Sequence, residues 1–408
     1  MIARQQTLLT RTIALSAALV VLATACASGK SPAVMPGAHN MNSYPLYIGT
    51  YTQGWACNEK KDCTSGGIYR STFDATSGTL SPPQLVATAV NPSYVAVHPS
   101  GAFLYAVNEV GDFGGQSSGS LTAYRVDVAG ALTEIGRVSS LGADPCYVSV
   151  DHSGRFAFVA NYGGGSIASY RIAEDGTLGA GASVQHTGSG PHANQKGPHA
   201  HFIAESSQRG RVYVADLGID QVRVYNVDSA SGKLTLNTSA LGQLPKGSGP
   251  RHLAFHPSNK YVFVNNELSS TVTVFAHDAG SGGLKVLQTV STVPTGFTGA
   301  NNTAEILVSA DGKFVYVSNR GHNSIAVFHV DETTGQLALL EATPSGGDWP
   351  RDFKFDPTGN FLLVEHQKSD NIVVLRVDRS TGKLTPTGHE LRVSKPVSIA
   401  FMPFGARE

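Results

Sequence analysis

Apolar and polar residues alternate in short stretches between residues 44 and 402, and glycine, proline, asparagine or aspartate separates these stretches. In TVTVFAHD (271–278) and SIAVFHVD (324–331), apolar side chains fall at every second position. A period of two residues is typical of half-buried strands, and β-branched and aromatic residues favour the same structure. This part of the chain keeps no helical period over several turns. The pattern therefore predicts an all-β protein.

One pattern recurs along the chain: an apolar strand, a turn with glycine, a second strand, and two further strands after it. The opening part of the pattern occupies residues 92–109, 145–162, 198–217, 250–268, 303–320 and 350–367. Most copies begin with proline, and the second strand often ends in asparagine. Four short strands in each repeat of about 50 residues are typical of β-propeller blades.

The two ends of the repeat region are incomplete in complementary ways. The segment YPLYIGTYT (44–52) provides a second strand with no first strand before it, and KPVSIAFMP (395–403) provides a first strand with nothing after it. Joining them completes one blade and closes the ring, which leaves only short sheet edges. The sequence therefore predicts a seven-bladed β-propeller over residues 44–408, with four antiparallel strands in each blade.

The N-terminus has the pattern of an export signal. A short apolar run, TIALSAALVVLATA (12–25), follows Arg4 and Arg11 and precedes Cys26. Basic, apolar and small residues in this order predict a signal peptide over residues 1–25. The residues before Cys26 resemble the lipobox of bacterial lipoproteins, so a lipidated Cys26, plain secretion and an uncleaved anchor are the alternatives. Residues 26–43 are rich in serine, glycine and proline and predict a flexible tether.

Composition narrows the classes of partner and the compartment. Thirty basic and thirty acidic residues give a net charge of zero, which argues against a nucleic-acid partner. Cys57 and Cys63 flank a short polar loop and are expected to form a disulfide in an oxidising compartment. Cys146 lies in an apolar strand pattern and is expected to be a buried free thiol. No cysteine and histidine spacing indicates a metal site.

The predicted topology collects polar residues at one mouth of the central channel. Because neighbouring strands are antiparallel, the start of each first strand and the turn after each second strand lie on the same face. A concave mouth with clustered polar groups is the default candidate site. Asn108, Asn161 and Asn266 recur at equivalent turns, which favours a turn-forming role, although they are also candidate substrate contacts. The other candidate substrate contacts are His252, Arg351, His366 and Lys368.

Charged residues that break the repeat are the candidates for chemistry. Arg251 and Arg351 follow the first proline of their repeats, where other blades have Ser93, Cys146 or His199. Glu267 and Arg320 follow the turn asparagine. Such charges are either solvated rim residues or ligand contacts. Guanidinium groups can bind an anion or stabilise a developing oxyanion, and a glutamate or histidine beside them can move a proton. The candidate catalytic residues are His199, His201, Arg251, Glu267 and Arg320.

The segment GPRHLAFHPSNKYVFVNNELSSTVTVF (249–275) closely resembles the bacterial 6-phosphogluconolactonase family of seven-bladed propellers. The segments GPHAHF (197–202), DGKFVYVSNR (311–320) and PRDFKFDPTGNFLL (350–363) support the resemblance in the same order. The family includes the fungal 3-carboxy-cis,cis-muconate lactonising enzyme, whose proposed site combines a histidine, two arginines and a glutamate. Here these match His199 or His201, Arg251, Arg320 and Glu267.

The resemblance implies hydrolysis of a sugar or related lactone, with no metal and no other cofactor. The alternatives are a cyclase of the carboxymuconate type and a non-enzymatic scaffold in the cell envelope. Because the chain has an export signal, an unphosphorylated lactone fits better than the phosphorylated one. We expect an exported monomer, a periplasmic or outer-membrane lipoprotein, that meets the membrane only through an N-terminal lipid.

Overall fold

The computed structural model describes residues 42–57 and 63–403. Its strands form seven antiparallel sheets, and in each sheet the strands follow one another from the centre of a ring outward. The innermost strand of every blade contacts that of the next blade, and the last of these contacts closes the ring. This confirms the predicted all-β class and the seven blades of four antiparallel strands.

The blades are numbered here in chain order and their strands from the inside outward. Blade 1 contains β29 (Pro396–Phe401), β1 (Ser43–Thr50) and β2 (Gly67–Asp74), and its outermost position is shared by two short strands, β3 (Thr79–Leu80) and β4 (Gln84–Thr88), which both pair with β2. Blade 2 contains β5 (Val95–Val97), β6 (Phe103–Asn108), β7 (Ser120–Val126) and β8 (Leu132–Ser139). Blade 3 contains β9 (Pro145–Val150), β10 (Phe156–Asn161), β11 (Ser166–Arg171) and β12 (Ala182–Gln185). Blade 4 contains β13 (Ala200–Glu205), β14 (Arg211–Asp216), β15 (Gln221–Val227) and β16 (Leu234–Gln243).

The remaining blades follow the same order. Blade 5 contains β17 (Pro250–Phe255), β18 (Tyr261–Asn266), β19 (Thr271–Asp278) and β20 (Gly283–Ser291). Blade 6 contains β21 (Asn302–Val308), β22 (Phe314–Arg320), β23 (Ser324–Val330) and β24 (Leu337–Pro344). Blade 7 contains β25 (Pro350–Phe355), β26 (Phe361–His366), β27 (Asn371–Val377) and β28 (Leu384–Arg392). The two 3₁₀ helices of the described residues are Gly54–Cys57 and Leu217–Ile219.

Blade 1 joins the two ends of the propeller. Strand β1 pairs with β2 on one side and with β29 on the other, where Leu46 faces Phe401. The C-terminal strand is therefore the innermost strand of the N-terminal blade, as the incomplete repeats predicted. The predicted signal peptide and all of the predicted tether except Asn42 and Ser43, including Cys26, lie outside the described residues. No helix within the described ranges is long and apolar enough to cross a membrane.

Apolar packing between the blades holds the ring together. Within the described residues, one large cluster of buried apolar side chains lies between each pair of neighbouring blades. The recurring Gly-x-Leu turns belong to this packing. Gly232 has a φ of +75°, and a Cβ there would lie 2.4 Å from the Phe156 ring of the preceding blade. Gly382 has the same relation to Phe314, so the turn requires glycine both for its backbone and for this close approach.

Candidate active site

A β-bulge in the innermost strand aims side chains at the channel mouth. In five of the blades, the register between the innermost and second strands shifts after the pair nearest the mouth, which leaves one extra residue on the inner strand. In blade 6 the shift comes one pair later, between Thr303 and Ile306. A bulge of this kind re-aims a side chain. The bulged residues include Cys146, His201, Arg251 and Arg351. Equivalent positions in different blades thus meet at one place.

A second set of mouth residues lies at the ends of the second strands. Tyr51, Glu109, Tyr162 and Glu267 each directly follow a second strand, and Arg320 is the last residue of one. All of this set except Tyr51, together with the bulged residues Cys146, His201 and Arg351, encloses a cavity of about 290 Å³, whereas Arg251 is not among its lining residues. The cavity is lined by Trp55, Glu109, Asp144, Cys146, Tyr162, His201, Glu267, Arg320, Trp349 and Arg351. Its volume is at the low end for ligand sites, which fits a small substrate.

The carboxylate of Glu267 bridges two buried guanidinium groups. Its Oε2 lies 2.9 Å from Nη2 of Arg320 and 3.2 Å from Nε of Arg251. Burial raises the pKa of Glu267, but Arg320 and Arg251 outweigh burial and hold that pKa below its ordinary value. Glu267 is therefore a carboxylate at neutral pH. Of the five predicted catalytic residues, the structure brings these three into direct contact.

Arg251 has two further partners besides Glu267. Its Nη1 donates to the Ala304 carbonyl and lies 3.3 Å from Nε2 of His252. Nδ1 of His252 lies 2.8 Å from Glu305 Oε2 in turn. Burial and the charge of Arg251 hold the pKa of His252 well below its ordinary value, so its ring is neutral. His252 therefore supports Arg251 and does not line the cavity.

A second polar chain lies on the blades where the ring closes. Nη2 of Arg351 donates to the Tyr51 hydroxyl at 2.7 Å, and that hydroxyl donates to Glu109 Oε2 at 2.8 Å. Ser93 Oγ donates to the same carboxylate oxygen at 2.5 Å. Burial raises the pKa of Glu109, and although Arg351 opposes this, the pKa stays above its ordinary value. The two glutamates of the mouth therefore have opposite electrostatic environments.

The structure separates the two histidines of the GPHAH segment. His201 lines the cavity, whereas the His199 ring stacks on Tyr162 and its Nδ1 bonds the Tyr162 carbonyl at 2.8 Å. The sequence pattern aligned His199 with Arg251. In the structure, Ala200 pairs with Asp216 in blade 4 as Pro250 pairs with Asn266 in blade 5, so the bulged residue His201 is equivalent to Arg251. Burial and Arg251 hold the pKa of His201 well below its ordinary value, and its ring is neutral.

The three turn asparagines do not reach the cavity. Asn108 bonds the Val90 carbonyl and accepts from two hydroxyls of its own blade. Asn161 and Asn266 likewise donate to groups in and beside their own sheets. Their amides are used where a strand turns, because the neighbouring strand offers hydroxyls at that position. None of the three is among the residues that line the cavity.

Two further candidates lie beside the mouth. His366 takes the turn-asparagine position of blade 7, where it is fully buried, and burial lowers its pKa to about 4. It is not among the residues that line the cavity. Lys368 is exposed at the rim, with Nζ 3.4 Å from the ring centre of Trp349. Arg351, by contrast, lines the cavity as the bulge predicts.

Several lining residues were not chosen from the sequence. Trp55 and Trp349 are the only two tryptophans of the chain, and both line the cavity. Neither belongs to the repeat, so the periodic pattern does not single them out. Their rarity in the sequence was the signal that could have done so. Glu109 follows Asn108 as Glu267 follows Asn266, and this repeated Asn-Glu pair was the available signal. Cys146 is free and buried, as expected, but it also lines the cavity.

A disulfide lies at the end of the segment that carries Trp55. Cys57 and Cys63 form a disulfide, and Cys57 ends the 3₁₀ helix that carries Trp55. Within residues 42–57 and 63–403, no group of three or more histidine, cysteine or acidic side chains is arranged to hold a metal ion. The site consists of two arginine–glutamate clusters, a neutral histidine and two indole rings.

The chain is similar to one described protein family and to named, curated proteins. The family described as "Lactonase, 7-bladed beta-propeller" matches residues 45–401. The 6-phosphogluconolactonase of Bacillus subtilis is 38% identical over 320 residues, which cover 78% of this chain and 86% of that protein. The 6-phosphogluconolactonase of Formosa agariphila is 33% identical and covers 77% of this chain and 87% of its own length.

A solved structure agrees with these relatives. The periplasmic gluconolactonase of Pseudomonas aeruginosa superposes with a TM-score of 0.80 at 36% identity, over 88% of this chain and 99% of that one. The family match covers nearly the whole propeller and the relatives cover most of it, and they confirm the resemblance inferred from the sequence. The chain belongs to the lactonase family of seven-bladed β-propellers.

Proposed function

We propose that this protein hydrolyses an uncharged sugar lactone at the channel mouth. The charge of the cavity lining carries the proposal. Two cations, Arg320 and Arg351, line the cavity together with three carboxyl groups, Glu109, Asp144 and Glu267. Each of the two guanidinium groups is already tied to a carboxylate, directly or through Tyr51. A phosphate dianion would find no surplus of positive charge inside this lining.

Arg320 is the best group to stabilise the charge that develops on the lactone carbonyl oxygen. Its Nη2 is fixed by Glu267 and by the Thr303 carbonyl, the latter at 3.0 Å. A guanidinium has five N–H donors, and this arrangement leaves others for a ligand. Donors that are held in place before the reaction need no reorganisation when the oxyanion forms. Glu267 thus acts by orienting two arginines.

Trp55 is expected to bind one face of the substrate ring. Its side chain is 66% exposed at the mouth, and its ring meets Tyr51 edge-on. Replacing Trp55 by alanine should raise KM about tenfold and leave kcat within about threefold, because about 1.4 kcal/mol of apolar contact is lost equally in the ground and transition states. Steady-state kinetics checks this. Val128→Ala, at an exposed position outside the cavity lining, should change neither constant.

A pair of lactones tests the proposed substrate class. We expect kcat/KM for gluconolactone to exceed that for 6-phosphogluconolactone by at least about tenfold, since each 1.4 kcal/mol of unfavourable charge is a factor of ten. A preference for 6-phosphogluconolactone that is lost in the Lys368→Gln variant would instead indicate a phosphate-binding site at the rim. A folded protein that opens neither lactone would favour the alternative function, a non-enzymatic scaffold in the cell envelope.

We further propose that the chain is an exported monomer, with residues 1–25 removed and Cys26 lipidated. The disulfide between Cys57 and Cys63 supports an oxidising compartment. The similar gluconolactonase of Pseudomonas aeruginosa is described as periplasmic, which supports the same location. Mass spectrometry of the mature protein beside Cys26→Ala tests cleavage and lipidation, and light scattering tests the monomer.

A further inference from the structure

Two glutamates occupy equivalent positions of the mouth, three blades apart, and only one of them is free to take a proton. Glu267 is tied through a single carboxylate oxygen to Arg320 and Arg251. These cations favour the ionised form and depress the pKa of Glu267 despite its burial. A carboxylate stabilised in this way is a weak base. Its geometry suits the orientation of two guanidinium groups.

Glu109 has a different set of partners. Both of its hydrogen bonds, from Tyr51 and Ser93, reach the same oxygen, Oε2. Within the described residues, no side-chain hydrogen bond reaches its other oxygen, Oε1, although the residue lines the cavity. The nearest guanidinium, that of Arg351, bonds the Tyr51 hydroxyl rather than the carboxylate. Glu109 is thus held by one oxygen, while the other is available to a water molecule.

The other titratable groups of the lining are weaker candidates. His201 is buried beside Arg251 and His252, and these cationic or potentially cationic neighbours disfavour an imidazolium ion there. Cys146 is a buried thiol whose pKa is raised by burial. Asp144 is the remaining carboxyl group, and no hydrogen bond to its side chain from the described part of the chain fixes it. Glu109 and Glu267 are both positioned and both line the cavity, but Glu109 is held by two hydroxyl donors, whereas Glu267 is ion-paired directly with two guanidinium groups.

We propose that Glu109 is the proton-transfer residue of this site and that Arg351 and Tyr51 position it. The inference rests on the proposed lactone hydrolysis. The Glu109 carboxylate removes a proton from water as the water oxygen bonds to the lactone carbonyl carbon, and the C=O π electrons move to the carbonyl oxygen beside Arg320. The electron pair on that oxygen then re-forms the C=O bond as the C–O bond of the ring breaks with its own pair on the ring oxygen, which takes the proton back from Glu109. Lactone and water thus become one hydroxy acid.

The test compares isosteric variants on gluconolactone across the pH range. Glu109→Gln should lower kcat at least about 100-fold, leave KM within about threefold and abolish the acidic limb of the kcat/KM profile. The charged and titratable groups that face Glu109 are Arg351, Tyr51, Asp144 and Cys146. Since the Tyr51 hydrogen bond lowers the pKa of Glu109, Tyr51→Phe should move the acidic limb to higher pH. A purely structural role would not shift this limb.

Asp144→Asn is the matched variant for the competing carboxyl group. Circular dichroism and thermal unfolding establish that each variant is folded. If Glu109→Gln keeps more than a third of the parental kcat with an unchanged acidic limb, the proposal is wrong. It is also wrong if Asp144→Asn, and not Glu109→Gln, removes the limb. A parent protein that opens no lactone would overturn the proposed function itself, which is a different result from an active parent with an active Glu109→Gln variant.

Discussion

Glu267→Gln is expected to lower kcat/KM for lactone hydrolysis by about 10²–10³-fold and to destabilise the fold by about 3 kcal/mol. The variant keeps the shape of the side chain but removes the charge that Arg251 and Arg320 share. Both guanidinium groups are buried, so each would remain as an uncompensated cation. Arg320 would also lose the contact that fixes it against the carbonyl oxygen of the substrate.

The pH dependence of this effect has a definite sign. The folded pKa of Glu267 lies below its ordinary value, and the unfolded value is about 4.3. Its stabilisation is therefore complete above the unfolded pKa and is lost as the pH falls through the folded pKa. Urea unfolding at pH 7 and in acid should show a difference between parent and variant that shrinks at low pH.

Glu390→Gln is the matched control for this variant. Glu390 pairs with Arg392 at 2.7 Å, but both side chains are exposed. Exposed pairs contribute at most about 1 kcal/mol, and this pair lies outside the cavity lining, so activity should not change. A Glu267→Gln variant as stable and as active as this control would contradict the orienting role of Glu267.

Asp216→Ala is expected to produce the largest loss of stability, about 3–5 kcal/mol, because it leaves several buried groups without partners. Oδ2 of Asp216 lies 2.6 Å from His186 Nδ1, and both side chains are fully buried. Oδ1 accepts from the backbone N–H groups of Gly218 and His199, at 3.0 and 2.8 Å. Nε2 of His186 lies 2.8 Å from the Tyr225 hydroxyl, so the network reaches the next strand.

Chemical denaturation checks this prediction, and two further variants define its cause. Asp216→Asn keeps an oxygen for the two backbone donors and should lose less stability than the alanine variant. Asp228→Ala removes an exposed turn aspartate and should cost much less. If Asp216→Ala and Asp228→Ala lower the free energy of unfolding equally, the buried pair of His186 and Asp216 contributes nothing to stability.

The repeat determined what the sequence could predict. Copies of one strand pattern specify the blades, and two incomplete copies specify ring closure, because both follow from local alternation. The bulges could not be predicted, since one extra residue in an inner strand leaves the alternation of its neighbours unchanged. This is why His199 was aligned with Arg251 although His201 is equivalent to it.

The candidate site was only partly predictable for a related reason. Arg251, Glu267 and Arg320 break the repeat with a charge, and they do meet in the structure. Trp55 and Trp349 lie in segments that connect strands, where no repeat constrains the residue type. The difference between the two glutamates depends on Tyr51 and Ser93 for Glu109 and on Arg251 and Arg320 for Glu267. Only the three-dimensional arrangement assigns these partners.

The pairing of β1 with β29 also governs the order of events during folding. Leu46 meets Phe401, so the ring cannot close until the last strand of the propeller has been synthesised. Contacts between residues this far apart form slowly, because the entropy of a very long loop must be lost first. Until then, β1 has an unpaired edge. For a chain exported as proposed here, this delay would keep the polypeptide open for translocation and postpone completion of the ring to the far side of the membrane.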